Sequence, residues 1–127
     1  MIFGVGTDVV EIGRIEKALG RWGVRFAERI LCAPELNRFR KHGQPASYLA
    51  KRFAAKEAFT KALGTGIKAP ANWHGVWVIN QPSGKPELQF SEPLKKALSS
   101  RGISRAHLSL ADERGIAVAT VILECEK

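Results

Sequence analysis

A long run of helix-forming residues in the middle of a short chain restricts the fold more than any other feature. Pro45 suits the first turn of a helix, and Gly64 suits the left-handed position that ends one. Apolar residues recur between them at helical spacing. The apolar stripe consists of Leu49, Ala50, Phe53 and Ala54. The sequence therefore predicts a helix from Pro45 to about Leu63, which we expect to be the central helix of the domain.

Shorter elements flank this helix on both sides. Strands are predicted over residues 2–10, 76–79, 87–90, 107–111 and 116–124, from β-branched and apolar runs bounded by turn residues. Helices are predicted from residue 12, weakened or broken by Gly20 and Gly23, and over 25–31, about 34–41 and 92–100. This order predicts an α+β fold in which a largely antiparallel sheet packs against the long central helix and shorter helices. The length of 127 residues predicts a single domain, residues 1–127.

The charge of the chain is positive and uneven. Lys and Arg number 20 against 12 Asp and Glu, a net charge of +8, and residues 1–64 carry +6 of it. A basic half attracts polyanions, which include nucleic acid, acidic protein surfaces and phosphorylated small molecules. The apolar run over 116–123 is shorter than the ~20 residues that span a bilayer, and no basic segment precedes Asp8 to indicate a secretory signal. Cys32 and Cys125 are predicted to be reduced structural thiols of a cytosolic protein.

Glu57 interrupts the pattern of the central helix. At about 100° per residue it falls within roughly 40° of Ala50 and Phe53, which predicts a carboxylate on the core-facing side. Lys61 follows one turn later on nearly the same face. Either the two residues form an internal i,i+4 ion pair, or Glu57 binds a cation and Lys61 binds a phosphate.

Asp8 is predicted to lie at the end of an otherwise apolar strand. With Glu11 three residues later, it has the spacing of a capping box for the next helix. Alternatively, a strand carboxylate and the helical Glu57 meet at one point. Two carboxylates, with water and a substrate phosphate completing the octahedron, are how proteins usually hold Mg²⁺.

Three further features have a structural and a functional interpretation. Arg14, Arg21 and Arg25 form one basic stripe if their helix persists, either as a solvated face or as a docking surface for an acidic partner. His107 lies on the strand face away from Leu108, as an ordinary strand residue or as a site residue. The segment 64–66, Gly-Thr-Gly, either ends the central helix as a turn or offers backbone N–H groups to a phosphate.

Five segments, taken in order, resemble one family across nearly the whole chain. They are residues 4–12 (GVGTDVVEI), 25–31 (RFAERIL), 50–67 (AKRFAAKEAFTKALGTGI), 84–86 (GKP) and 107–112 (HLSLAD). Together they resemble the holo-[acyl-carrier-protein] synthases, the short bacterial type of phosphopantetheinyl transferase. The resemblance implies the phosphopantetheinyl transferase fold. It also implies an Mg²⁺-dependent transferase that moves the 4'-phosphopantetheine arm of coenzyme A to a serine of apo acyl carrier protein, releasing adenosine 3',5'-bisphosphate.

The resemblance also implies roles for individual residues. Asp8 and Glu57 are the metal ligands, and Glu57 is the preferred base, directly or through a metal-bound water. Lys61 stabilises the leaving diphosphate, and His107 is either a second group for proton handling or a substrate contact. The residues that match regions contacting coenzyme A are Arg52, Lys61, Gly64, Thr65, Gly66, Lys85, Pro86 and His107. Those that match the basic surface for the acidic carrier protein are Arg14, Arg21 and Arg25.

Assembly and cellular setting follow from the same resemblance. It implies a homotrimer with sites between protomers, and the nearly all-apolar final strand, residues 116–123, suits burial against neighbours. It implies a cytoplasmic role in fatty acid biosynthesis and lipid metabolism, with no nucleic-acid or membrane partner, and leaves open whether Mg²⁺ or Mn²⁺ serves. Two rival hypotheses remain: a small basic nucleic-acid-binding module, and a non-enzymatic binder of the carrier protein or of coenzyme A.

Overall fold

The computed structural model describes residues 1–126, which form five strands and five helices. The predicted domain includes Lys127, which lies outside the described residues. The strands are β1 (Ile2–Glu11), β2 (Val76–Asn80), β3 (Pro86–Phe90), β4 (Ile103–Glu113) and β5 (Ile116–Cys125). The helices are α1 (Ile12–Trp22), α2 (Val24–Ile30), α3 (Ala33–Lys41), α4 (Pro45–Leu63) and α5 (Glu92–Ser100). None of the described helices combines the length and the hydropathy of a membrane-spanning segment.

The strands form two antiparallel sheets. The larger sheet has the order β1-β5-β4, and β2 pairs with β3 in a separate hairpin. Because side chains alternate across a strand, the larger sheet has two distinct faces. On β5, the inner face consists of Ala117, Ala119, Val121 and Leu123, all fully buried. Within residues 1–126, no helix or strand covers the outer face at its β1 end, where Val5 and Val9 are 55% and 61% exposed.

Helix α4 packs against the inner face, along β1 and β5. Two glycines of β1 make this approach possible. A Cβ atom at Gly4 would lie 2.0 Å from the carbonyl oxygen of Ala62, and one at Gly6 would lie 1.9 Å from that of Ala58. Neither distance leaves room for a side chain, so the backbone of β1 rests directly on the backbone of α4. This contact brings Asp8, the next inward-facing residue of β1, beside the helix.

Most of the predicted elements are confirmed, including the α+β fold with antiparallel sheets and the limits of α4. Strand β4 is longer than predicted because it remains paired with β5 from Ile103 to Glu113. Strand β1 runs on to Glu11, so Asp8 lies within the strand. Gly20 does not break α1, whereas Gly23 ends it with a φ of 65° that other residues rarely adopt. The basic stripe therefore does not continue into α2, where Arg25 lies.

Candidate active site

A cleft of about 390 Å³ opens between β1, α1 and α4. Asp8 contributes from the strand, Arg14 from α1 and Glu57 from α4, while Phe26 and Phe53 form part of the apolar wall. The predicted meeting of a strand carboxylate with a helical carboxylate therefore occurs in the structure. Lys61 extends the same group, because it contacts Asp8 one helical turn beyond Glu57.

Asp8 is held by Lys61 on one side only. The Lys61 ammonium donates hydrogen bonds of 3.0 Å to Asp8 Oδ1 and of 3.0 Å to the carbonyl oxygen of Thr7. The Asp8 side chain is 14% exposed, and its Oδ2 is buried without a hydrogen-bond partner. Helix α1 has Glu11 at its N-cap with no side-chain capping bond. The capping-box interpretation of Asp8 is therefore wrong, because Asp8 lies within β1 and contacts α4, and α1 begins only at Ile12.

Glu57 is half-buried and lies on the most open side of α4. The prediction that Glu57 faces the core is therefore wrong. It assumed one buried apolar stripe, whereas α4 is covered on nearly all sides and its apolar residues do not mark a single buried face. Burial first, and then the negative charge of Asp8, raise the pKa of Glu57, while Lys61 lowers it. No ion pair joins Glu57 to Lys61 in the described chain; the lysine pairs with Asp8 instead.

The donor set of the cleft fits a hard divalent cation. Two carboxylates approach each other closely enough for the charge of Asp8 to raise the pKa of Glu57, and Asp8 Oδ2 is buried without a partner. A cation bound between them would relieve both unfavourable interactions. Mg²⁺ is usually held by one or two carboxylates, with water and substrate phosphates as the remaining ligands. Residues 1–126 contain no cluster of three or more His, Cys, Asp or Glu ligands.

The residues predicted to contact coenzyme A do not all line this cleft. Gly64 and Thr65 lie on a second cleft of about 450 Å³, together with Lys68 and Arg101. Lys85 and Pro86 lie in and beside the turn of the β2–β3 hairpin.

Arg52 of α4 supports the β2–β3 hairpin through the end of β2. It is buried, donates a 2.7 Å hydrogen bond to Asn80 Oδ1 and stacks 4.3 Å from the ring centroid of Tyr48. Asn80 in turn donates through its side chain to the carbonyl oxygen of Gly84, at 3.0 Å. The structure thus gives Arg52 a supporting position, and its contact with coenzyme A stays a prediction.

His107 lies on β4, on the outer face of the larger sheet. The strand register aligns it with Ile122 of β5 and Val5 of β1 in one row across the sheet. Its Nε2 contacts Glu124 Oε1 at 2.5 Å. Asp8 faces the inner side of the same sheet, so a single chain does not bring these two residues together.

The predicted carrier-binding arginines are all exposed. Arg14 reaches the cleft, whereas Arg21 lies near the end of α1, with its guanidinium 5.0 Å from the centroid of the Trp22 ring. Arg25 follows in α2, and the exposed Trp22 and Val24 separate it from Arg21.

A buried ion pair behind the site was missed by sequence analysis. Lys56 and Glu35 are joined by a 2.8 Å bond between Nζ and Oε1, and both side chains are fully buried. Lys56 also donates to the carbonyl oxygens of Ile30 and Trp73, at 2.6 and 2.8 Å.

Glu35 completes this arrangement with two backbone donors. Its Oε1 accepts from the Cys32 N–H at 3.0 Å, and its Oε2 accepts from the Val78 N–H at 2.9 Å. The pair therefore ties α4 to the start of α3, to β2 and to the loop before β2. The signal for Glu35 was its place three residues after Cys32, the spacing of a helix cap. Lys56 carries no such signal, because it lies between Ala55 and Glu57 on a helix that has several other charged residues.

Two carboxylates that can hold a divalent cation, beside an ammonium, suit the transfer of a phosphorylated group, because positive charge stabilises the phosphoryl oxygens during transfer. The sequence profile described as "4'-phosphopantetheinyl transferase superfamily" matches residues 4–121 of the chain. Holo-[acyl-carrier-protein] synthase of Vibrio parahaemolyticus is 54% identical over 97% of this chain and 98% of its own. That of Aromatoleum aromaticum is 51% identical over 98% of both chains.

Solved structures agree with the sequence relatives. The crystal structure of holo-[acyl-carrier-protein] synthase from Neisseria meningitidis has a TM-score of 0.94 and 45% identity, covering 98% of this chain and 99% of its own. The synthase from Bacillus anthracis, solved in complex with coenzyme A (3',5'-ADP), has a TM-score of 0.83 and 38% identity, covering 99% of both chains. The chain therefore belongs to the 4'-phosphopantetheinyl transferase superfamily. The resemblance to its holo-[acyl-carrier-protein] synthases and the predicted enzyme class are confirmed.

Proposed function

We propose that residues 1–127 form one catalytic domain that transfers the 4'-phosphopantetheine arm of coenzyme A to a serine of an apo acyl carrier protein. The observation that carries the proposal is the group formed by Asp8, Glu57 and Lys61 at one cleft. The relatives named for this activity cover nearly the whole chain, and one similar synthase was solved with coenzyme A. We further assign the reaction to the cytoplasm and to fatty acid biosynthesis.

The chemistry requires a base for the serine and a stabilising charge for the leaving group. The serine oxygen forms a bond to the phosphorus that carries the pantetheine arm, and the bond from that phosphorus to the oxygen of adenosine 3',5'-bisphosphate breaks. Glu57 takes the serine proton, because it is the half-buried carboxylate of α4 that lines the cleft into which the serine enters. Lys61 has three N–H donors. Two are engaged by Thr7 and Asp8, and the third is available to the leaving phosphate.

Asp8 and Glu57 would hold the magnesium ion, with Mn²⁺ as the alternative. When bound, the ion neutralises phosphoryl oxygens and so lowers the cost of charge that develops there. Asp8 supplies the buried oxygen that lacks a partner, and Lys61 keeps the other oxygen of Asp8 oriented.

The acidic carrier protein docks on the exposed basic surface of α1 and α2, which carries Arg14, Arg21 and Arg25. Its serine then enters the cleft beside Arg14, the one arginine of the three that lines it. Exposed Trp22 adds an apolar contact beside the charges; it is 59% exposed on the free chain. Complementary charge steers such an encounter and fixes the orientation of the partner.

The active enzyme is a homotrimer whose sites lie between protomers. Support comes from the outer face of the larger sheet, where Val5 and Val9 leave apolar surface uncovered. His107 lies in the same cross-strand row as Val5, so a neighbour packed on this face would border it. A shared site also accounts for the distribution of the predicted coenzyme A contacts over several surfaces of one chain.

The test is transfer of the arm, measured by the mass of the carrier protein after incubation with coenzyme A and Mg²⁺. We expect the wild-type chain to add the arm, and Asp8→Ala and Glu57→Ala each to abolish turnover while remaining folded. Glu113→Ala, which removes a carboxylate from the end of β4, is the matched control and retains activity. Absence of transfer by the wild-type chain, beside an active reference synthase, would refute the proposed function. Chelator-insensitive turnover by either cleft variant would refute the metal assignment.

A further inference from the structure

We propose that Glu124 is a positioning residue that holds the imidazole of His107 in a single tautomer, with hydrogen on Nε2 and a free lone pair on Nδ1. The inference rests on the proposed function, in which His107 contacts the substrate or handles a proton. It goes further by assigning the residue that determines the tautomer and the orientation of the His107 ring.

The contact is built into the strand register. Ile122 of β5 stands opposite His107 of β4, and Glu124 lies two residues further along β5, on the same face. Diagonal neighbours of this kind are within reach of long side chains. The observed contact joins His107 Nε2 to Glu124 Oε1. Both side chains are partly exposed, at 50% and 34%, so the hydrogen bond, rather than tight packing, determines the orientation of the ring.

The surroundings of Glu124 keep it ionised. The hydrogen bond from His107 is the largest influence that lowers the pKa of Glu124, and the positive charges of the N-terminus and Arg105 act in the same direction. The N-terminal ammonium lies at the end of the same strand pair, where it donates to the carbonyl oxygen of Cys125. An ionised carboxylate only accepts hydrogen bonds. Nε2 of His107 must therefore carry the hydrogen.

A fixed tautomer matters because the two ring nitrogens of a neutral imidazole have opposite roles. One donates and the other accepts, and the partner of the first determines what the second offers. Nδ1 has no hydrogen-bond partner within residues 1–126, so it remains available to a substrate group or a proton. Without Glu124, no hydrogen bond within residues 1–126 holds the ring, so it exchanges between tautomers and only part of the population presents the Nδ1 lone pair to the substrate.

The first experiment observes the tautomer in the full-length enzyme, labelled with ¹⁵N-histidine. The chain has three histidines, so the His107→Ala variant assigns the signals of His107. We expect the Nε2–H form alone in the wild type and in Glu113→Ala, and a mixture of both forms in Glu124→Ala. Glu124→Gln, whose amide both donates and accepts, should also give a mixture. A single unchanged tautomer in Glu124→Ala would overturn the proposal.

The second experiment is a double-mutant cycle in the transfer assay. Glu124→Ala should lower kcat/KM for coenzyme A about tenfold, the lower end of the loss measured for partners of metal-ligating histidines, and leave the KM for the carrier protein unchanged. Because Glu124 acts through His107, the His107→Ala/Glu124→Ala enzyme should be no slower than His107→Ala alone. Additive losses, or wild-type kinetics of His107→Ala, would overturn the positioning role. Failure of the proposed function itself is distinguishable, because the wild-type enzyme would then show no transfer while the tautomer measurement still gives a result.

Discussion

Replacing Lys56 with methionine tests whether the buried ion pair behind the site is a main support of the fold. Methionine retains most of the length of the side chain but removes the ammonium, which donates to Glu35, to the Ile30 carbonyl and to the Trp73 carbonyl. The change leaves a fully buried carboxylate without its counter-charge. Removing one partner of a buried pair typically costs about 3–5 kcal/mol, against a total stability of roughly 5–15 kcal/mol for a domain.

Thermal unfolding gives a direct measurement of this cost. For a chain of this size about 1 kcal/mol corresponds to ~4 °C, so Lys56→Met should lower the Tm by about 12–20 °C. Lys51→Met is the matched control on the same helix, because Lys51 forms a 3.2 Å pair with Asp112 at the surface. Such a pair contributes at most about 1 kcal/mol. All variants are compared at one protein concentration, since assembly would shift the Tm.

The double variant Lys56→Met/Glu35→Leu gives a sharper test. In many proteins an apolar replacement of a buried ion pair is neutral or stabilising. Here the pair also satisfies four backbone groups, the N–H groups of Cys32 and Val78 and the carbonyls of Ile30 and Trp73. Each buried group left without a partner costs about 1–3 kcal/mol. We therefore expect the double variant to be at least as unstable as Lys56→Met. Recovery to the wild-type Tm would refute the reasoning.

Three further predictions concern the cleft and its surroundings. Gly6→Ala should separate β1 from α4 and lower the free energy of unfolding in urea by about 3 kcal/mol or more. Its control is Gly20→Ala, which has open space around its Cβ and should stabilise α1 by about 0.5–1 kcal/mol. Equal effects of the two substitutions would contradict the close strand–helix contact. Folding raises the pKa of Glu57, so the ionised carboxylate destabilises the folded protein at pH 8, and Glu57→Gln should raise the Tm of the metal-free protein there. This gain in Tm should shrink as the pH falls toward about 4, where the carboxyl group becomes protonated in both states. A gain that does not depend on pH would contradict the prediction. Reversing Arg14 and Arg21 to Glu should raise the KM for the carrier protein but not for coenzyme A, and wild-type KM for the carrier should rise with salt; equal changes for both substrates would indicate a damaged fold.

The elements with strong local signals could be predicted from the sequence. Pro45 and Gly64 mark the ends of α4 correctly, and the alternation around His107 predicts its face of the sheet. Asp8 was identified as a candidate although its neighbours also allowed a helix cap. The choice between the two depended on where β1 ends, and the pairing of Glu11 with Ile116 extends the strand beyond the predicted boundary. Long-range pairing of this kind leaves no local signal.

The adjacent residues Lys56 and Glu57 show where periodicity stops being informative. A single apolar stripe predicts buried and exposed sides only when one side of a helix faces solvent. Helix α4 is covered by the sheet, by α1, by α3 and by the β2–β3 hairpin, so nearly every direction is buried and alanines occur on all sides. The turn of about 100° from one residue to the next directs Lys56 toward Glu35 and Glu57 toward the cleft. Which of the two charges is fully buried and which is half-exposed depends on the elements around the helix, and only their arrangement in space distinguishes the supporting residue from the one proposed to be catalytic.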